Sequence, residues 1–241
     1  MTQTPPWLRY YGKVPHSLNY PELTLYEAVA ATAARVPDDI AWDFLDTTSS
    51  YRAFLASIDT CANALAALGL AAGERILISM PTSPQGVIAF YAANKLGALP
   101  ALIHPLSTAP EIEHYLNASR ARIALTLDAF YARFSAVKPE LPLEKLILAR
   151  IPDYLSPVKK FGFWLSKGRK IPAVPSDARV RWWADLMAEA HPAVPRSSAT
   201  THDPAAILFS GGTTGVPKGI VLSNRNFIAE GMQAAAWGEL A

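Results

Sequence analysis

Ile207-Leu208-Phe209-Ser210-Gly211-Gly212-Thr213-Thr214-Gly215-Val216-Pro217-Lys218-Gly219-Ile220-Val221-Leu222 is the stretch on which the rest of the chain can be ordered. Three apolar residues run into a burst of glycine and hydroxyl residues. A lone lysine follows, and then a second apolar run. The apolar flanks read as two short buried strands. Gly211, Gly212, Gly215 and Gly219 tolerate positive φ and let a ligand approach the backbone closely. Ser210, Thr213 and Thr214 add hydroxyl donors beside free backbone N–H groups, and Lys218 adds one cation. Clustered N–H groups, hydroxyls and an ammonium make a site for phosphate oxygens. Ser210, Gly211, Gly212, Thr213, Thr214, Gly215 and Lys218 are therefore the candidate phosphate-binding residues.

Two common phosphate loops do not fit. The nucleotide-triphosphatase loop needs a second Gly directly before its Lys and a hydroxyl directly after it. Pro217 and Gly219 occupy those places. The dinucleotide fingerprint fails on spacing, and no helix opens directly after the loop. A plain Gly/Thr-rich hairpin turn is the remaining alternative, but turns rarely need three hydroxyls and a lysine together.

The stretch closely resembles the signature loop of the adenylate-forming family: acyl-CoA synthetases, luciferases and adenylation domains. That family's pattern is aromatic-Thr-Ser-Gly-Thr-Thr-Gly-x-Pro-Lys-Gly. Residues 209–219 match it with Gly211 in place of the usual serine, a variation that long-chain fatty acyl-CoA synthetases share. Two further segments carry the same resemblance. Residues 73–84, from Gly73-Glu74-Arg75-Ile76 to Ser83-Pro84, are similar to the family's Gly-Asp-Arg-Val…Pro-Asn-Ser-Pro. Residues 94–117 are similar to its Lys-Ala-Gly-Ala…Asn-Pro-Leu-Tyr-Thr…His-Gln-Leu-Asn. Asn224 stands where the family usually has histidine; both side chains can cap or hydrogen-bond.

Composition agrees with a globular enzyme. The chain has 241 residues, 51% of them hydrophobic. Mean hydropathy is +0.14, yet no apolar run reaches the ~18 residues of a membrane span. Net charge of +2 is too small to suggest nucleic acid. Cys61, the only cysteine, excludes an internal disulfide and reads as a small buried side chain. The first residues hold no apolar signal core, so a cytoplasmic location is expected.

Read in order, residues 1–23 form an aromatic, proline-broken arm, extended over 5–20 and lying on the body, with His16 as packing or surface. Thr24 and Glu27 make a capping box for a helix to Arg35. Residues 40–45 are a strand, and Ser50-Tyr51 open a helix through Leu68, ended by Gly69. Strands at 75–80, 98–103, 122–127 and 145–149 alternate with helices. One begins at Ser83-Pro84 and ends at Gly97. Another begins at a second capping box, Thr108 to Glu111, and a third lies near 129–137. Strand–helix–strand units with buried strands predict an α/β fold with a mostly parallel sheet flanked by helices on both faces. Glu111 and His114 lie three apart on one helix; a polar helix face explains them better than a metal or catalytic pair.

Residues 24–190 thus make one α/β unit, 191–204 a Pro/Ser/Thr-rich linker, and 205–241 the phosphate loop with the start of a second sheet and an incomplete second subdomain. Within the first unit, 151–181 differ. Lys159, Lys160, Lys167, Arg169 and Lys170 interleave with Phe161, Phe163, Trp164 and Leu165, and no acid occurs from 154 to 176. Such a segment suits either a surface excursion that packs its aromatics onto the body or, through 157–172, peripheral contact with an anionic membrane surface. Gly162 and Gly168 weaken a helix there and favour the first reading.

The resemblance implies the chemistry of an ATP-dependent long-chain fatty acid–CoA ligase. A carboxylate attacks the α-phosphorus of Mg-ATP to give acyl-AMP and pyrophosphate, and CoA then displaces AMP. It also implies that ATP, Mg²⁺, CoA and a fatty acid serve the whole enzyme. The family's adenine, ribose, magnesium and catalytic-lysine motifs are not among these 241 residues. The expectation is therefore an N-terminal fragment, from a split gene, a truncated gene or a partial sequence, with no catalytic residue and no metal ligand of its own; a separately encoded C-terminal portion is one candidate partner. The alternatives are a residual nucleotide-binding or interaction module, or part of another acyl-adenylating ligase.

Overall fold

The sheet is built from runs of apolar residues too short for helices and bounded by glycine and proline. The computed structural model describes residues 5–210, 215 and 217–238. In chain order the regular elements are α1 (Leu25–Arg35), β1 (Ile40–Phe44), β2 (Thr47–Ser50), α2 (Tyr51–Ala67), β3 (Arg75–Ser79), α3 (Pro84–Leu96), β4 (Leu99–Leu102), α4 (Ala109–Ser119), β5 (Ile123–Leu127), α5 (Tyr131–Ser135), β6 (Lys145–Ala149), α6 (Pro157–Ser166), β7 (Val180–Trp182), α7 (Trp183–Ala188), β8 (Pro204–Ser210), β9 (Lys218–Ser223) and α8 (Asn224–Trp237).

Seven strands form one sheet in the order β7-β6-β5-β3-β4-β8-β9. All neighbours are parallel except β8 and β9, which are antiparallel. The chain steps from β3 to β4 on one side, then crosses back to β5 on the other. Right-handed crossovers in opposite directions put α3 and α4 on opposite faces. Strand side chains alternate accordingly. Ile76, Ile78, Ile123 and Leu125 face a core with α2 and α3. Leu77, Ala124, Leu146 and Leu148 face the other core, with Ile112 and Leu116 of α4 and Phe134 of α5. Both faces of β3, β5 and β6 are covered, as near-continuous apolar strands require, whereas β9, expected to be buried, leaves Ile220 and Val221 exposed.

The local signals hold. Thr24 with Glu27, and Thr108 with Glu111, both form capping boxes. Ser50 caps α2, and α3 ends on Gly97 in the left-handed region. A Cβ at Gly97 would lie 2.9 Å from the Cβ of Ser197, so a side chain there would displace the strap that crosses it. That strap is the expected linker. It runs over α2 and α3, where the Ser197 N–H donates to Lys95 O and the Val194 N–H to Asn63 Oδ1.

Three expectations are corrected. The strand at 205 does not start a second sheet: β8 lies beside β4, with Ala101 opposite Ile207 and Leu102 opposite Leu208. Ala205 and Ala206, both fully buried, let it enter the existing sheet. The short strand β7 was not foreseen and forms the opposite edge. The 151–181 segment does form a helix, α6, but it buries no residue. Phe163 is half-buried, but two aromatics of α6 are not packed onto the body: Phe161 is 63% exposed and Trp164 49%. The N-terminal arm, expected to be extended, includes a 3₁₀ turn at Pro6–Tyr10. It lies on α8, where Tyr11 meets Trp237 edge-on and Gln233 Nε2 donates to the Tyr20 hydroxyl.

Candidate functional site

The β8–β9 hairpin carries the glycine-rich loop. Its register pairs Phe209 with Gly219 and Ser210 with Lys218. Ser210 and Lys218, eight residues apart in sequence, therefore stand opposite each other at the base of the loop, both exposed. Gly215 is exposed at its far side. Gly211, Gly212, Thr213 and Thr214 lie outside the described residues. Among the described residues no acid lies within ion-pair distance of Lys218. Its ammonium faces solvent at the mouth of the loop rather than a carboxylate.

Gly219 sits in close packing. A Cβ on it would sit 3.1 Å from Ile207 Cγ2 and 3.3 Å from the Phe209 ring. The ring of Phe209 lies across β9 at this point and closes the hairpin base. On its other side Phe209 meets Tyr115 of α4, ring centroids 4.5 Å apart.

His114, the neighbour of Tyr115, reaches the exit of the loop. Its Nε2 lies 3.0 Å from the Pro217 carbonyl oxygen. A carbonyl can only accept, so the ring carries its proton on Nε2. Glu111, three residues before it, does not join the contact. Its carboxylate accepts from the backbone N–H and hydroxyl of Thr108, and the backbone bond holds it below the usual carboxylate range. The pair is therefore split: Glu111 caps α4, and His114 fastens the loop. His16 packs against Tyr11, and Cys61 is buried, its thiol pushed up by desolvation. Among the described residues no group of three or more His, Cys, Asp or Glu could hold a metal ion.

Asn224, the first residue of α8, ties the hairpin to the body. Its Oδ1 accepts from the Leu25 N–H at 3.0 Å and from Asn94 Nδ2 at 2.8 Å. Its Nδ2 donates to the carbonyls of Thr200 and Asp203. Asn94 in turn accepts from the Tyr26 N–H. The cap of α8 is Ser223, not Asn224. One amide thus joins α1, α3, the strap and α8.

A second feature escaped sequence reasoning. A cavity of about 450 Å³ lies at the carboxyl ends of β3 and β4, lined mainly by Ile78, Met80, Phe90, Leu102, Ile103 and Phe227. Leu102 pairs with Leu208, two residues before Ser210, so the cavity and the loop open on the same edge of the sheet. Ligands of open α/β sheets bind at that edge. Its residues come from four elements, and no single stretch of sequence announces it.

The model of the AMP-binding enzyme family matches residues 29–240. The chain belongs to the AMP-binding enzyme family. Among its curated relatives, a long-chain-fatty-acid–CoA ligase of Bacillus subtilis is 28% identical over 242 residues, covering 98% of this chain and 43% of the relative. An acetyl-coenzyme A synthetase of Mycobacterium bovis is 30% identical over 190 residues, 76% of this chain and 27% of the relative. Among solved structures of the family, a long-chain-fatty-acid-CoA ligase from Archaeoglobus fulgidus superposes with a TM-score of 0.73 at 22% identity, covering 93% of this chain and 41% of that one. A benzoate CoA ligase from Burkholderia xenovorans gives 0.62 at 20% identity, covering 85% and 35%. These structures share the fold. The chain spans less than half the length of each of these AMP-binding relatives.

Proposed function

We propose that this chain is the phosphate-clamping, N-terminal portion of an ATP-dependent fatty acid–CoA ligase. The observation that carries the reading is the β8–β9 hairpin, whose register sets Ser210 opposite Lys218 at the two ends of the glycine-hydroxyl loop. In this reading Ser210, Gly211, Gly212, Thr213, Thr214, Gly215 and Lys218 hold the β- and γ-phosphates of ATP. Backbone N–H groups and hydroxyls donate to the phosphate oxygens, and the Lys218 ammonium offsets charge as it moves onto the departing pyrophosphate. Lys218 acts as a fixed cation and moves no proton. His114 contacts Pro217 at the loop's exit, and Phe209 packs over Gly219 at its base.

Magnesium, which the family uses with ATP, would be held by groups beyond those described here together with the phosphates themselves. The second step, transfer of the acyl group to CoA, belongs to the remainder of the enzyme. The apolar character of the 450 Å³ cavity supports an apolar acid as substrate. The long-chain ligase among the relatives supports the same choice.

The test is adenylation of an acid panel by the complete ligase carrying this chain, read as pyrophosphate release. Palmitate should outpace acetate and benzoate. Preference for acetate or benzoate overturns the fatty-acid assignment and leaves the family intact.

A further inference from the structure

α6 is built inside out. Val158, Phe161 and Leu165 follow one another at helical spacing, a stripe that normally faces a core. Here Val158 is 82% exposed, Phe161 63% and Leu165 49%. Phe161 and Trp164 stack on each other at 6.0 Å, out in solvent. The tip of the β1–β2 hairpin adds a further exposed apolar residue, Leu45, which has a positive φ. Lys159 fixes this tip to α6 by donating to Leu45 O and pairing with Asp46.

The charge around this stripe is one-sided. Five of the 22 basic residues fall between 159 and 170, and none of the 20 acids falls between 154 and 176. The near-neutral total therefore hides a strongly basic segment on an otherwise net-acidic chain. Apart from Lys159, none of these bases pairs with an acid among the described residues. Arg169 lies over the Trp164 ring at 4.3 Å, which leaves its guanidinium edge outward. Exposed aromatic and aliphatic side chains among unpaired lysine and arginine complement an acyl–headgroup boundary bearing negative charge. No helix of the described residues is long and apolar enough to cross a membrane, so the contact is in the plane of the interface.

We infer that α6, with the following Lys167–Lys170 turn and the Leu45 tip, docks this protein on an anionic lipid bilayer. This surface is independent of the phosphate assignment. It uses the β7 end of the sheet, the far edge from the β8–β9 hairpin.

The test is flotation of the 241-residue chain with vesicles of phosphatidylcholine alone or mixed with phosphatidylglycerol. Binding should require phosphatidylglycerol and weaken as salt is raised. Each basic residue near the surface contributes roughly fivefold, so Lys167→Gln, Arg169→Gln and Lys170→Gln together should lower partitioning on the order of 100-fold. Phe161→Ser with Leu165→Ser should also lose binding while thermal melting is unchanged, since α6 buries nothing. A readout that needs neither set of variants is tryptophan quenching by brominated lipid in the anionic vesicles, which Trp164→Phe should diminish. Equal binding to neutral vesicles, no binding to anionic ones, or full binding by the triple variant overturns the inference. So does a dimer in solution that Phe161→Ser and Leu165→Ser dissociate, which would make the stripe a contact between copies.

Discussion

Replacing Asn224 with Ala removes the amide that joins four elements. Leu25 N–H and Asn94 Nδ2 each lose their partner, while Thr200 O keeps the backbone N–H of Asp203 and Asp203 O keeps that of Asn224. Asn224 is 1% exposed and Asn94 4%, so bulk water does not reach these groups. Each orphaned group costs ~1–3 kcal/mol, and one water entering the vacated space recovers part. The expected loss is about 2–4 kcal/mol, or roughly 4–16 °C in Tm for a chain of this size. Asn224→Asp should cost at least as much. It keeps the acceptor but sets a carboxylate oxygen against the carbonyls of Thr200 and Asp203. Thermal and urea melts of the 241-residue chain measure both. A loss under ~1 kcal/mol for Asn224→Ala would refute the reasoning, because it would mean that the amide joins nothing that needs it.

Three further outcomes are expected. His114→Ala should cost ~0.5–1.5 kcal/mol and speed hydrogen exchange at Lys218 and Gly219; unchanged exchange there would mean that His114 does not hold the loop. Hydrogen bonds from Arg179 hold Asp177 well below the usual carboxylate range. A depressed folded pKa stabilises the fold above the unfolded value of ~3.9 and is lost as pH falls through the folded one. The stability gap between wild type and Asp177→Asn should therefore narrow at pH below about 4, and a gap that widens on acidification would contradict the pairing. The 241-residue chain alone, given palmitate, ATP, Mg²⁺ and CoA, should release no pyrophosphate; turnover that tracks the purified chain would show that the remainder is not needed.

Local features were legible because their causes are local. Thr24 with Glu27 and Thr108 with Glu111 define helix starts within four residues. The run Arg75–Ser79 declares a buried strand by apolarity alone. What the sequence could not declare is adjacency. Nothing in residues 204–210 says that β8 pairs with β4 instead of opening a new sheet, since a buried strand looks the same in either place. β7 is three residues long, too short for alternation to register. α6 forms despite Gly162, whose cost in a helix is only ~1 kcal/mol. Its exposed stripe is invisible to any pattern rule, which assumes that apolar faces turn inward. At the candidate site the two strands flanking one loop were legible, but the register that sets Ser210 opposite Lys218 was not. The His114 contact did not, because it spans 103 residues of sequence.

The most direct measurement separates the two half-reactions of the complete ligase carrying Lys218→Ala. The lysine is assigned to the β- and γ-phosphates, and a charge-assisted contact of that kind contributes ~1.5–3 kcal/mol. Adenylation should slow by roughly ten- to a hundredfold. Transfer to CoA from preformed acyl-AMP should be nearly unchanged, because pyrophosphate has already left. Equal slowing of both half-reactions, or none in adenylation, would contradict the phosphate clamp.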